Sequence, residues 1–132
     1  MAKLRHIAIT VPDPEKAAEF YIRAFGLRRV GKTDWEGAHG VYLTDGVMNI
    51  ALLHYRKEEY AGARGRDFVG LHHFGFIVED VAAAHGAIEA AGGTHWMGEP
   101  AAGAGFYEVK YHDPDGTAFD ITANGWAGAA KD

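Results

Sequence analysis

Leu4-Arg5-His6-Ile7-Ala8-Ile9 returns 67 residues later as Leu71-His72-His73-Phe74-Gly75-Phe76. The same offset carries Val11 onto Val78, Asp13 onto Asp80, Ala17 onto Ala84, Ala24 onto Ala91 and Gly26 onto Gly93. One register held over more than twenty residues marks a duplication, and each copy reads as βαβββ. Residues 3–11 and 70–78 alternate as strands do. Asp13 and Asp80 stand where a helix N-cap belongs, Asp13 with Pro14 at the first helical position. Helices are expected at about 14–25 and 81–91, with inner stripes of Ala17, Tyr21 and Ala24, then Ala84, Ile88 and Ala91. Gly26 and Gly92-Gly93 supply the stops. Further strands are expected at about 28–34, 40–44 and 47–55, and at about 94–98, 106–112 and 117–122. The last two of each copy turn through Asp45-Gly46 and Asp113-Pro114-Asp115-Gly116.

The whole reads as one domain over 1–132: a first module at about 3–55, a linker at 56–69, a second module at about 70–123 and a tail at 124–132. The tail is expected to be loose apart from Trp126, and the glycine-rich stretch 101–105 to be mobile. The fold class is α+β, two tandem βαβββ modules forming a curved mixed sheet around a metal cavity.

Composition narrows the chemistry. The chain has 132 residues and no cysteine, so disulfides and thiolate metal sites are excluded. A formal charge of −5 offers no basic footprint for nucleic acid. No apolar run approaches membrane-spanning length, and the N-terminus lacks a signal-peptide core, so a cytoplasmic protein is expected. Any metal must be held by imidazole and carboxylate.

Alternate strand residues face opposite sides. In the first strand Ile7, Ile9 and Val11 share the face that must cover the helix, and His6, Ala8 and Thr10 share the other. Phe74, Phe76 and Val78 oppose His73, Gly75 and Ile77 in the same way. In the final strand Phe119 and Ile121 belong on the helix side, which sends Asp120 to the histidine side. Three residues converge by parity alone: His6, His73 and Asp120. Two imidazoles and a carboxylate with positions left open suit Fe(II), and also Zn, Mn or Ni. The plainer alternative is a pair of hydrogen-bonded histidines in a polar cavity. His54 is a reserve ligand, reachable through one register slip. Asn49 is placed to hydrogen-bond a substrate or a metal-bound water, while Trp35 and Tyr42 either line the pocket or pack. Glu108 and Lys110 share a parity and could transfer protons or anchor a substrate, or form an ion pair at the rim. His72 is expected on the helix side or the strand edge. His39, His85, His95 and His112 are expected to be solvated or hydrogen-bonded.

The stretches LRHIAITVPDPEKAAEFYIRAFGL, GLHHFGFIVEDVAAA and FYEVKYHDPDGTAFDI span nearly the whole chain. Together they resemble the vicinal oxygen chelate (VOC) superfamily of glyoxalase I, extradiol ring-cleaving dioxygenases, methylmalonyl-CoA epimerase and metal-free antibiotic-resistance proteins. The resemblance implies metal ligands on the first and last strands of each module, which here are His6, His73 and Asp120. It also implies a small-molecule substrate and a homodimer. Two departures bear on the reaction. Asp120 replaces the family's glutamate, with about 1.5 Å less reach. The first module places one of Ile50, Ala51, Leu52 or Leu53 where the isomerases carry a ligand, and strand parity selects Ala51. A three-ligand site favours the dioxygenase-like branch, with Fe(II) as the metal, over glyoxalase-like lyases and isomerases. Against that branch, Lys110 stands where those oxygenases carry a tyrosine. A metal-free drug-binding protein is the remaining alternative.

Overall fold

The computed structural model describes residues 1–100 and 108–132. The expected glycine-rich loop at 101–105 and the strand start at 106 lie outside the described residues. The elements run β1 (Lys3–Thr10), α1 (Pro14–Phe25), β2 (Arg28–Trp35), β3 (Ala38–Thr44), β4 (Asn49–Tyr55), α2 (Glu58–Ala61), β5 (Gly70–Ile77), α3 (Val81–Ala90), β6 (Thr94–Met97), β7 (Val109–His112) and β8 (Ala118–Thr122).

Asp13 opens α1 by accepting from the backbone N–H groups of Glu15 and Lys16, and Gly26 closes it at φ +70. The buried stripe of α1 differs from the expected one. Pro14, Ala17, Ala18, Tyr21 and Ile22 turn inward, while Ala24 is exposed, because a 3.6-residue period carries the stripe through 18 and 22. Ala18 packs on Val41, Leu43 and Leu52. Asp80 caps α3 through the N–H of Ala83, and α3 lies over Val109, Tyr111 and Ile121. Ala91, expected on its inner stripe, instead forms the exposed C-cap.

All eight strands join one mixed sheet in the order β2-β3-β4-β1-β5-β8-β7-β6. The two first strands meet antiparallel at its centre, and each pairs in parallel with the last strand of its own copy. The βαβββ pattern of the sequence is therefore folded twice, edge to edge, as the fold class anticipated. Among the described residues, no helix is long and apolar enough to cross a membrane.

Two expectations change. The segment 56–69 is more than a linker: α2 forms one helical turn, and its Ala61 is buried against the cluster containing Leu53 and Tyr55. The tail is also pinned. The Gly128 carbonyl accepts from Thr44, Ala130 N–H donates to Val47, and Arg5 donates to the carbonyls of Ala130 and Asp132. Each joins a backbone group of the tail to a distant partner, three of them through the side chains of Thr44 and Arg5, so strand and helix patterning gives no hint of them.

Candidate metal centre

β1 and β5 pair with two register shifts, one leaving Arg5 unpaired and the other leaving His72 unpaired. Arg5 and His72 are equivalent under the 67-residue offset, so each copy carries a bulge one residue before its histidine. A bulge re-aims the side chains beside it. His6 and His73 are both buried in the concavity, at 3% and 6% exposure, with Asp120 at 1%.

The three donors converge. His6 Nε2 lies 3.3 Å from His73 Nε2, and His73 Nε2 lies 3.2 Å from Asp120 Oδ2. His6 Nε2 lies 4.0 Å from the same oxygen. Their ligand atoms all fall within 4.8 Å of one another. The register explains the asymmetry between modules. Gly75, two residues past His73, pairs with Asp120, while Ala8, two residues past His6, pairs with Ala51. Ala51 is thus the counterpart of Asp120 and contributes only a methyl group.

Proton positions follow from the outer partners. His72 Nε2 faces the Ala61 carbonyl, which only accepts, so that nitrogen carries a hydrogen. Burial pushes the His72 imidazole down to about 4, leaving it neutral with a bare Nδ1. His73 Nδ1, 2.8 Å away, must then donate to it. Burial also lowers the pKa of His73, so its one hydrogen is used there and Nε2 is bare. On the other side, Asn49 Nδ2 donates to the Ala127 carbonyl, which turns Asn49 Oδ1 toward His6 Nδ1 at 2.7 Å. Burial, and then His73, push the His6 imidazole down to about 3. Its Nε2 is bare as well. Burial alone would raise the Asp120 carboxyl, but the Lys110 ammonium seated on it outweighs that and holds the group well below the usual carboxylate range.

Three acceptors therefore face one another with no hydrogen between them, an arrangement that a shared cation relieves. Edges of 3.2 and 3.3 Å match the spacing of about 3 Å between adjacent ligands around an ion with bonds of about 2.1 Å. The donor set fits a divalent ion. His6 and His73 would hold it by Nε2 and Asp120 by Oδ2.

Around the trio lies a cavity of about 280 Å³. Trp35, Tyr42, Tyr55 and Ala51 line its wall from the first module, and Tyr60 lines it from α2 in the segment between the modules. Glu108 and Lys110 line it from the second. Glu108 Oε2 lies 4.0 Å from His6 Nε2 and accepts from the Trp126 indole N–H at 2.8 Å. Burial raises the Glu108 carboxyl to about 7. Lys110 Nζ sits 3.0 and 2.9 Å from the two oxygens of Asp120. Burial would lower the Lys110 ammonium, but Asp120 and Glu108 reverse that and raise it. This ion pair lies inside the site rather than at the rim.

Other candidates fall elsewhere. Asn49 lines the cavity and is held at both polar ends, by His6 and by the Ala127 carbonyl, so it orients a histidine. His54, the reserve ligand, points its Nδ1 at the Val11 carbonyl, away from the trio. His85 bonds to the Tyr111 hydroxyl on the helix side. Sequence reasoning missed His72, whose bulge is invisible to strand parity. It also missed Trp126 as a site residue, although the indole stacks on His6 at 4.7 Å and 6°. A lone tryptophan in a tail of mostly glycine and alanine was the available signal.

A family model for the Glyoxalase/Bleomycin resistance protein/Dioxygenase superfamily matches residues 3–121, and the chain belongs to that superfamily. Within it, the chain is 37% identical over 121 residues to the ethylmalonyl-CoA/methylmalonyl-CoA epimerase of Cereibacter sphaeroides, covering 86% of this chain and 90% of that protein. Among solved structures, a methylmalonyl-CoA epimerase bound to methylmalonyl-CoA and NH4+ superposes with a TM-score of 0.76 at 22% identity, covering 92% of this chain and 93% of that one. A Streptomyces coelicolor methylmalonyl-CoA epimerase in complex with 2-nitronate-propionyl-CoA gives a TM-score of 0.75 at 23% identity, covering 90% and 94%. At those identities the two structures speak for the fold alone.

Proposed function

We propose that this protein is a divalent-cation-dependent isomerase that moves a proton at a carbon next to a carbonyl, acting on a small substrate held through two neighbouring oxygens. The observation that carries the reading is Glu108, a carboxyl raised to about 7 and placed 4.0 Å from the trio of bare donors. A carboxyl poised near neutral pH both accepts and returns a proton efficiently. A bound divalent ion would supply Lewis-acid charge to the substrate's carbonyl oxygen. Glu108 would take the proton from the adjacent carbon and, once the flattened carbon has turned its other face to the carboxyl, deliver it there. Trp126, donating to Glu108, holds the carboxyl in place. The aromatic wall of Tyr42, Tyr55 and Trp35 would exclude water from the reacting carbon. The epimerase identity of the 37% relative supports a malonyl-type CoA thioester as the first substrate to try.

A second reading, ring cleavage with Fe(II), draws on one specific feature. Ala51 gives no fourth donor, so a bound ion would keep positions for substrate and O₂. Exposed apolar side chains on and beside β1 and β5, Leu4 at 42%, Val69 at 59% and Leu71 at 66%, support pairing of two copies. Light scattering on the purified chain tests that pairing.

The test of function is exchange in D₂O. Protein loaded in turn with Co, Mn, Ni, Zn or Fe(II) is incubated with methylmalonyl-CoA and ethylmalonyl-CoA, and α-deuterium is followed by mass spectrometry. Deuterium should enter with the wild type and fall by roughly 10²-fold or more in Glu108→Gln. No exchange with any cation, beside O₂ uptake on a catechol panel, would favour ring cleavage. Failure to bind any cation would favour a metal-free binding protein.

A further inference from the structure

Lys110 remains unexplained by proton transfer. It is the one lysine or arginine among the described residues lining the cavity. Its ammonium approaches Oδ2 of Asp120 to 2.9 Å, and Oδ2 is the same oxygen that faces His73 Nε2 at 3.2 Å and His6 Nε2 at 4.0 Å. Oδ1 is taken by the same ammonium at 3.0 Å. Neither oxygen of the only carboxylate in the trio is free. A divalent ion entering between the two imidazoles and Oδ2 meets a positive charge already seated on its anionic ligand. The repulsion acts at short range in a buried site, where screening by water is weak.

We propose that Lys110 is an internal competitor for the cation site: its ammonium neutralises Asp120 in the cation-free protein and must leave Oδ2 for a divalent ion to bind. The inference rests on the reading of His6, His73 and Asp120 as cation ligands. Several features of the cavity make the exchange workable. Asp120 sits in the middle of β8, buried and paired with Gly75, so the carboxylate stays put while the flexible lysine moves. Glu108 lies two residues along the chain from Lys110, its carboxyl facing the same cavity, and can receive the displaced ammonium. Once turned off Asp120, the ammonium presents its N–H donors to the cavity beside the ion. It would there favour substrates that carry an anionic group next to the chelating oxygens. A lysine is suited to this exchange because it is a point charge on a flexible stem, whereas arginine would hold both carboxylate oxygens in a fixed fork.

The competition is read by titrating the protein with Co(II), following the visible bands of the bound ion, and with Zn(II) by competition. Lys110→Met removes the charge at similar length. It should bind both ions about tenfold or more tightly than the wild type, and Lys110→Arg should bind them no more tightly than wild type. Equal affinity in wild type and Lys110→Met would overturn the competition while leaving the cation site standing. Binding absent from all three would overturn the site itself and the inference with it. Because Lys110→Met leaves the buried Asp120 without its ammonium partner and could fail to fold, a measurement on the wild type accompanies it. In a ¹⁵N-labelled sample the Lys110 ammonium, protected by its ion pair, should give a slowly exchanging side-chain signal that broadens or moves on adding one equivalent of Zn(II). A signal unchanged at saturation would show that the ammonium never leaves Asp120.

Discussion

Asn49 and His72 do the same job for the two central histidines by different chemistry. Each accepts the Nδ1 hydrogen of its partner, and each is itself locked by a backbone carbonyl, Ala127 for Asn49 and Ala61 for His72. Such outer partners decide which ring nitrogen is bare and where it points. Asn49→Leu and His72→Phe should therefore each weaken Co(II) binding by roughly 10- to 100-fold while leaving the far-UV circular dichroism unchanged. Unaltered titrations would remove the orienting role. Glu108 carries the pH dependence at this scale. Its carboxyl stands at about 7 in the fold against an ordinary 4.5, so the folded protein favours the neutral acid. The stability it contributes is fully present below about pH 4.5 and is lost as pH rises through 7. Glu108→Gln should gain melting temperature relative to wild type on going from pH 5 to pH 8. A difference between the two proteins that is flat with pH, or falls, contradicts the raised carboxyl.

At the scale of elements, the sequence was most legible where local chemistry is sufficient. Asp13, Pro14 and Gly26 bound α1 as their residue types demand, and its limits matched the expectation. Asp13→Ala should cost about 1 kcal/mol, read as a fall in melting temperature of roughly 4 °C. A fall below one degree would show that tertiary packing alone holds the helix start. Legibility failed at the bulges. Strand parity assumes an unbroken ladder, and an extra residue at Arg5 and at His72 resets the count in a way that no side-chain pattern announces. The helix stripe shifted for a related reason. Ala24 is apolar but small, and small residues carry little information about which side is buried.

For the whole molecule, the tail closes over the joint between the copies. Trp126 lies on His6, and a methyl group built on Gly75 would stand 2.7 and 2.8 Å from its ring and 3.2 Å from the His6 Cβ. Gly75 is thus the position that lets β5, the tail and the first histidine occupy one place. Gly75→Ala should cost roughly 1–3 kcal/mol, with a change in tryptophan fluorescence as the indole is pushed away. A variant as stable as wild type with unchanged emission would show that the indole has room to spare.

Duplication, helix limits, the absence of thiolates and the choice of His6, His73 and Asp120 as facing residues all followed from the sequence by itself, because each depends on spacing or on residue type. Which ring nitrogens are bare, that Lys110 sits on Asp120, and that Trp126 and Asn49 belong to the same cluster were decided only by tertiary structure. Lys110 with Asp120, Asn49 with His6, and Trp126 with His6 are joined by hydrogen bonds and stacking across strands and from the tail, and such contacts are set by strand register and by how the tail and the two modules meet rather than by any local pattern.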